Sequence, residues 1–198
     1  MPDPEDAPED DMSVKADADA EDADPPADPA DPADTADVTT DDGAPGPEYE
    51  TGIYARESPY LDRHVQLGVA GEKLINVSFP AEPNEDAEDE YPLLKRIFAY
   101  LEGKKDQFQD VDIALTVPTE QRTVLEALRN VPYGEDVSVE RLARMAGLDD
   151  DDQGDLQTVR MALDTNPVPI VVPDHRVRDG PSSAPPKVEQ KLRSLEGL

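Results

Sequence analysis

Residues 1–47 are built from Asp, Ala, Pro and Glu in loose repeats such as Ala27-Asp28-Pro29-Ala30-Asp31-Pro32-Ala33-Asp34, and they contain almost no large apolar side chain. Ordering a residue costs about 1–2 kcal/mol of backbone entropy, and a segment with nothing to bury cannot offset that. Residues 1–50 therefore read as a disordered acidic tail, and any fold must come from residues 51–198. The tail serves either as a solubilising extension or as a tether for a basic protein partner.

The whole chain has 198 residues with 47 acidic and 18 basic side chains, a formal net charge of −29. Residues 1–50 hold 19 of the acids and a single base, Lys15, so 28 acids face 17 bases in the remainder. The folding part is thus acidic in its own right. Such a surface either repels nucleic acid and prefers a basic partner, or belongs to an organism with multimolar internal salt. At about 1 M salt the Debye length is only ~3 Å, and self-repulsion nearly vanishes. Acid excess running through the folding part favours the halophilic reading.

Cysteine is absent, which excludes disulfides, thiolate metal sites and cysteine nucleophiles. No metal-ligand cluster or cofactor motif stands out, so neither a metal nor a cofactor is expected. No stretch approaches the ~18–20 apolar residues of a membrane span, and Met1-Pro2-Asp3-Pro4-Glu5 does not open a signal peptide. The expectation is a cytoplasmic monomer without a membrane partner.

Gly52 to Glu57 reads as a strand, and His64–Val69 and Lys73–Phe79 form a hairpin broken at Gly71-Glu72. Leu93, Leu94, Ile97, Phe98 and Leu101 fall at helical spacing, and Val111–Leu115 is extended. A helix opens at Pro118 with Val124, Leu125 and Leu128 inward. A second starts behind Ser138 as N-cap, with Val139, Leu142, Ala143 and Ala146 on its apolar stripe. A third runs from about Gly154 to Asp164, and a last one from Lys187 to Leu195. Short helices followed by an extended segment suggest a helix-turn-helix or winged-helix module.

Val131-Pro132-Tyr133-Gly134-Glu135, Val137-Ser138 and the run Asn166-Pro167-Val168-Pro169-Ile170-Val171-Val172-Pro173-Asp174-His175-Arg176-Val177 resemble the O6-alkylguanine-DNA alkyltransferase family. The resemblance is specific over 118–198 and diffuse before it. It implies an α/β (α+β) fold: a small ribonuclease-H-like sheet domain (51–116) followed by a helical winged-helix-type DNA-binding domain (117–198). It also implies a guanine flipped from duplex DNA into a pocket beside the Pro-x-His-Arg segment. The family transfers the O6-alkyl group irreversibly to a Cys between that Pro and His, with the His acting through water and a Glu orienting it.

By that resemblance, His175 and Glu196 hold the histidine and glutamate positions, Asn166 is the hinge asparagine, and Asp174 stands at the acceptor position. A carboxylate attacks alkyl carbon poorly, so suicide transfer is not expected and no residue is assigned a catalytic role. The DNA-contacting positions fall at Gln157, Thr158, Arg160, Met161, Val139 and Arg176. Several depart from the family: Gln157 replaces its inserted Arg, Val139 its tyrosine, and Arg160 and Met161 its small residues. The Gly-rich loop over the pocket shrinks to 179–186, and Asp149 to Asp152 with Asp155 would face phosphates.

The reading is therefore a non-catalytic, alkyltransferase-like protein of DNA repair that binds duplex DNA, with O6-alkylguanine as the candidate lesion. The alternative is a degenerate scaffold that has left DNA and acts through a protein partner. A third use, Asp174 as a general base with His175, has no accompanying motif. Asp174 would either accept the N1–H and N2–H donors of unmodified guanine or close the pocket.

Overall fold

The computed structural model describes residues 51–198, so the acidic tail lies outside the described residues. Three strands, β1 (Gly52–Ser58), β2 (Arg63–Ala70) and β3 (Lys73–Ser78), form an antiparallel sheet in the order β1-β2-β3. Val65, Leu67 and Val69 alternate inward along β2, the period-2 pattern of a sheet with one buried face. Strand β3 breaks that period. A register shift beside Gly68/Val69 leaves Ile75 as the extra residue, 41% exposed, so that Leu74 and Val77 both reach the core. The β2–β3 turn uses Gly71 at φ 61°, a conformation that favours glycine.

Helix α1 (Pro92–Leu101) lays Leu94, Ile97 and Tyr100 into the core. Stacked Tyr54 and Tyr91 rings, 4.4 Å apart, tie its start to β1. Arg96 of α1 clasps Asp106 and Asp110 in the segment that follows, while Arg129 donates to the carbonyls of Phe108, Gln109 and Val111. These bonds fix an irregular segment that has few backbone partners of its own. The expected extended stretch 111–115 is present and bridges β3 through Leu74 and Ile113.

Helices α2 (Thr119–Leu128), α3 (Val139–Met145) and α4 (Gln153–Asp164) pack on one another through Val124, Leu125, Leu128, Leu142, Val159 and Leu163, all fully buried. Each such side chain contributes about 1.5–3 kcal/mol relative to exposure. Ser138 caps α3 by accepting from the Arg141 amide, as its sequence position predicts. Helix α5 (Pro186–Glu196) covers the far side through Val188 and Leu192. Between α4 and α5 the chain forms a bridge of Pro169 with Val172, a 3-10 turn at Asp174–Arg176, and a bridge from Val177 back to Val137 ahead of α3. The described residues cluster as one compact unit, and position 116 of the sequence lies between α1 and α2.

Candidate functional site

The site is organised by the chain that leaves α4. Asn166 stands just past its end, where it bonds three ways: Oδ1 accepts from the Val168 amide at 3.1 Å, and Nδ2 donates to Val172 O at 2.8 Å and to Asp174 Oδ2 at 2.9 Å. These bonds force the run from 168 to 172 into a tight reversal that holds Ile170 at φ 77°. A β-branched residue there costs about 1–3 kcal/mol, tolerated because the surroundings over-determine it. The strain is local, and its result is to present Asp174, His175 and Arg176 on one short turn, each at most 1% exposed.

The Asp174 carboxylate accepts four hydrogen bonds. Oδ1 accepts from Ser182 Oγ at 2.8 Å, and Oδ2 accepts from Asn166 Nδ2 at 2.9 Å, Ser183 Oγ at 2.8 Å and the Ser183 amide at 3.1 Å. At about two acceptor sites per oxygen, Oδ2 is fully occupied and Oδ1, with one donor, has room for a single further donor, fewer than the N1–H and N2–H pair of guanine. The guanine-reading role considered for Asp174 does not fit this geometry.

His175 Nε2 lies 3.1 Å from Glu196 Oε1 and 3.4 Å from the Tyr100 hydroxyl. An ionised carboxylate only accepts, so Nε2 carries the proton. Nδ1 is buried and has no protein partner among the described residues. Glu196 also accepts from Tyr100 at 2.6 Å, from Arg176 Nε and Nη2 at 2.8 Å each, and from the Gly134 amide at 3.1 Å. Burial alone would raise its carboxyl, but the hydrogen bonds from His175 and Arg176 outweigh burial and hold it well below the usual range. Burial, with the Glu196 charge beside it, pushes the Tyr100 hydroxyl far up, so it stays a donor.

Two expected DNA contacts are corrected. Arg176 is 1% exposed, its guanidinium divided between Glu196 and Val131 O, and cannot reach a groove. Val139 is fully buried, because it belongs to the inward stripe of α3. The other four positions lie on α4: Gln157 is exposed, Thr158 and Arg160 are half-buried, and Met161 is 47% exposed. The Thr158 hydroxyl is turned back onto Gly154 O.

The acids before α4 have local work. Asp152 caps the helix by accepting from the Gly154 and Asp155 amides, Asp155 accepts from the Asp149 amide, and Asp150 pairs with Arg144. The carboxylates of Asp149, Asp150 and Asp151 converge within 4.8 Å of one another on the surface. Tyr100 is the member of the site that sequence reasoning did not name; Gly134 entered only within the Val131–Glu135 motif, and Ser182 and Ser183 only within the shortened loop 179–186. Ser182 and Ser183 carry a weak signal, two adjacent hydroxyls in a short loop beside an inward acid.

Comparison with known proteins gives a consistent picture. The DNA-binding-domain model of 6-O-methylguanine DNA methyltransferase matches residues 119–196. The methylated-DNA–protein-cysteine methyltransferase of Methanopyrus kandleri is 31% identical over 128 residues, 62% of this chain and 93% of that one. Its namesake in Metallosphaera sedula is 30% identical over 109 residues, 53% of this chain and 66% of that protein's length. Among solved structures, Mycobacterium tuberculosis OGT in complex with DNA aligns with a TM-score of 0.56 and 26% identity, covering 74% of this chain and 91% of that one. A variant of the M. tuberculosis O6-methylguanine methyltransferase aligns at TM-score 0.59 and 25% identity, covering 74% and 90%.

Proposed function

This chain belongs to the O6-methylguanine-DNA methyltransferase family, and from that premise we propose that it binds duplex DNA without accepting an alkyl group. One observation carries the second half: the chain contains no cysteine, and a buried carboxylate, Asp174, stands where the family resemblance puts the acceptor. A carboxylate is a poor nucleophile toward alkyl carbon, and this one has its oxygens bound to four donors. His175 and Glu196 then act as bracing for Arg176 and Tyr100.

The first half is supported by the match to a DNA-binding domain over 119–196 and by the packed α3–α4 pair, whose second helix exposes Gln157 and Met161. Asp152 occupies the α4 N-terminus, a place where phosphate oxygens bind helices, so that end offers little grip on the backbone. Binding then rests on base edges, stacking and shape. These terms survive the high salt of a halophilic cytoplasm, whereas phosphate affinity falls steeply with salt. On this reading the protein is a monomer of DNA repair.

The test is binding to duplexes with and without one O6-methylguanine in about 2–3 M KCl, with intact-mass analysis of the protein afterwards. Binding without a methyl adduct is the expected result. A stable adduct sinks the non-transfer half. Absence of binding at any salt sinks the DNA half and favours the protein-partner reading, to which the acids around the start of α4 lend their weight.

A further inference from the structure

Residues 179–186, between the 3-10 turn and α5, are pinned along their length. Asp179 Oδ1 accepts from the Val139 amide at 2.9 Å. Gly180 is packed so tightly that an added Cβ would lie 2.6 Å from Leu163 Cδ1. Ser182 and Ser183 donate through both hydroxyls and one amide to Asp174, and Ala184, 4% exposed, donates its amide to Ser182 Oγ. From the other side Asn166 Nδ2 supplies the fourth donor to the same carboxylate.

We propose that Asp174, Ser182, Ser183 and Asn166 form a latch that seals the position where a flipped base would sit, so that DNA is held with its bases stacked and O6-methylguanine is not distinguished from guanine. This rests on the DNA-binding reading above. Entry of a base requires the serines to leave a buried carboxylate, and bonds to an ionised group are about twice as strong as neutral ones. Guanine returns at most two donors, N1–H and N2–H, for the three lost with the serines. O6-methylguanine lacks N1–H and turns lone pairs toward the charge. Neither base can replace what the latch already supplies.

Hydrogen exchange on the full chain tests the latch in the absence of DNA. Ser182→Ala with Ser183→Ala speeds exchange over 182–184 by about tenfold or more, while α2 amides stay unchanged. Asp174→Asn, which keeps the shape but gives up acceptors, has the same effect to a lesser degree. Unchanged exchange in both variants overturns the latch. With DNA, the wild type binds the two duplexes within about twofold of each other, and the double serine variant shifts toward the unmodified duplex, whose guanine offers N1–H and N2–H to the freed carboxylate. A wild-type preference of about tenfold or more for the O6-methylguanine duplex also overturns it. If neither duplex binds, the DNA-binding reading fails, and the exchange experiment still decides the latch by itself.

Discussion

Glu196→Ala should destabilise this fold strongly. The side chain is fully buried and its two oxygens accept five hydrogen bonds, two of them from the Arg176 guanidinium. Without it, Arg176 keeps only Val131 O and stays buried with an unpaired charge. Breaking one side of such a pair costs about 3–5 kcal/mol. At about 2–4 °C per kcal/mol for a chain of this size, the melting temperature falls by ~6–20 °C. Urea unfolding in KCl, read by circular dichroism, measures it. A cycle with Arg176→Met and Glu196→Gln isolates the pair. The double variant should be less destabilised than the sum of the singles by about 1–3 kcal/mol, since the second substitution removes the orphan left by the first. Additivity within about 0.5 kcal/mol would refute the coupling and leave Glu196 an ordinary buried residue.

Acid should weaken the fold through the same carboxylate. Its folded pKa lies below that of the unfolded chain, so the unfolded state takes up the proton first as pH falls. The contribution is complete above about pH 5 and is lost progressively below it. Asp110, lowered to about 2 by its hydrogen bond to Arg96, moves in the same direction, and a urea midpoint series from pH 7 to 3 reads both. Gly180→Ala should destabilise by about 1–3 kcal/mol through overpacking, because the new Cβ would lie 2.6 Å from Leu163 Cδ1 and 3.0 Å from Val177 Cγ1; a neutral result means the loop can retreat. Gln157→Arg should raise affinity for duplex DNA and steepen the dependence of log K on log salt by about one. No change in either would place the DNA face away from α4.

Period and capping made most of this fold legible. Alternating Val65, Leu67 and Val69 marked β2, and Ser138 marked the start of α3. The bulge in β3 left no such trace, because a one-residue insertion is chosen by pairing with β2 and not by the strand's own pattern. At the site, Asp174, His175, Glu196 and Asn166 were readable from the resemblance, but the partnerships were not. Arg176 looked like a DNA contact because its partner lies 20 residues on, and Glu196 had been assigned to His175 alone. Val139 held two conflicting readings, an inward stripe and a DNA contact, and burial of an apolar side chain decided between them. Ser182 and Ser183 passed as remnants of a shortened loop, since hydroxyls become informative only when an acceptor is known to face them.

Tyr100 and Glu196 meet across 96 positions of sequence. A ribosome adding about 5–20 residues per second leaves Tyr100 without its carboxylate for roughly 5–20 s after it is synthesised. Over that interval α1 and the sheet exist before α5, and a hydroxyl destined for full burial faces water or a chaperone. Arg176 arrives 20 residues before the same acceptor and waits about 1–4 s. The buried network therefore cannot close until residue 196 has been added, and α5 then supplies one acceptor to Tyr100 and Arg176 together.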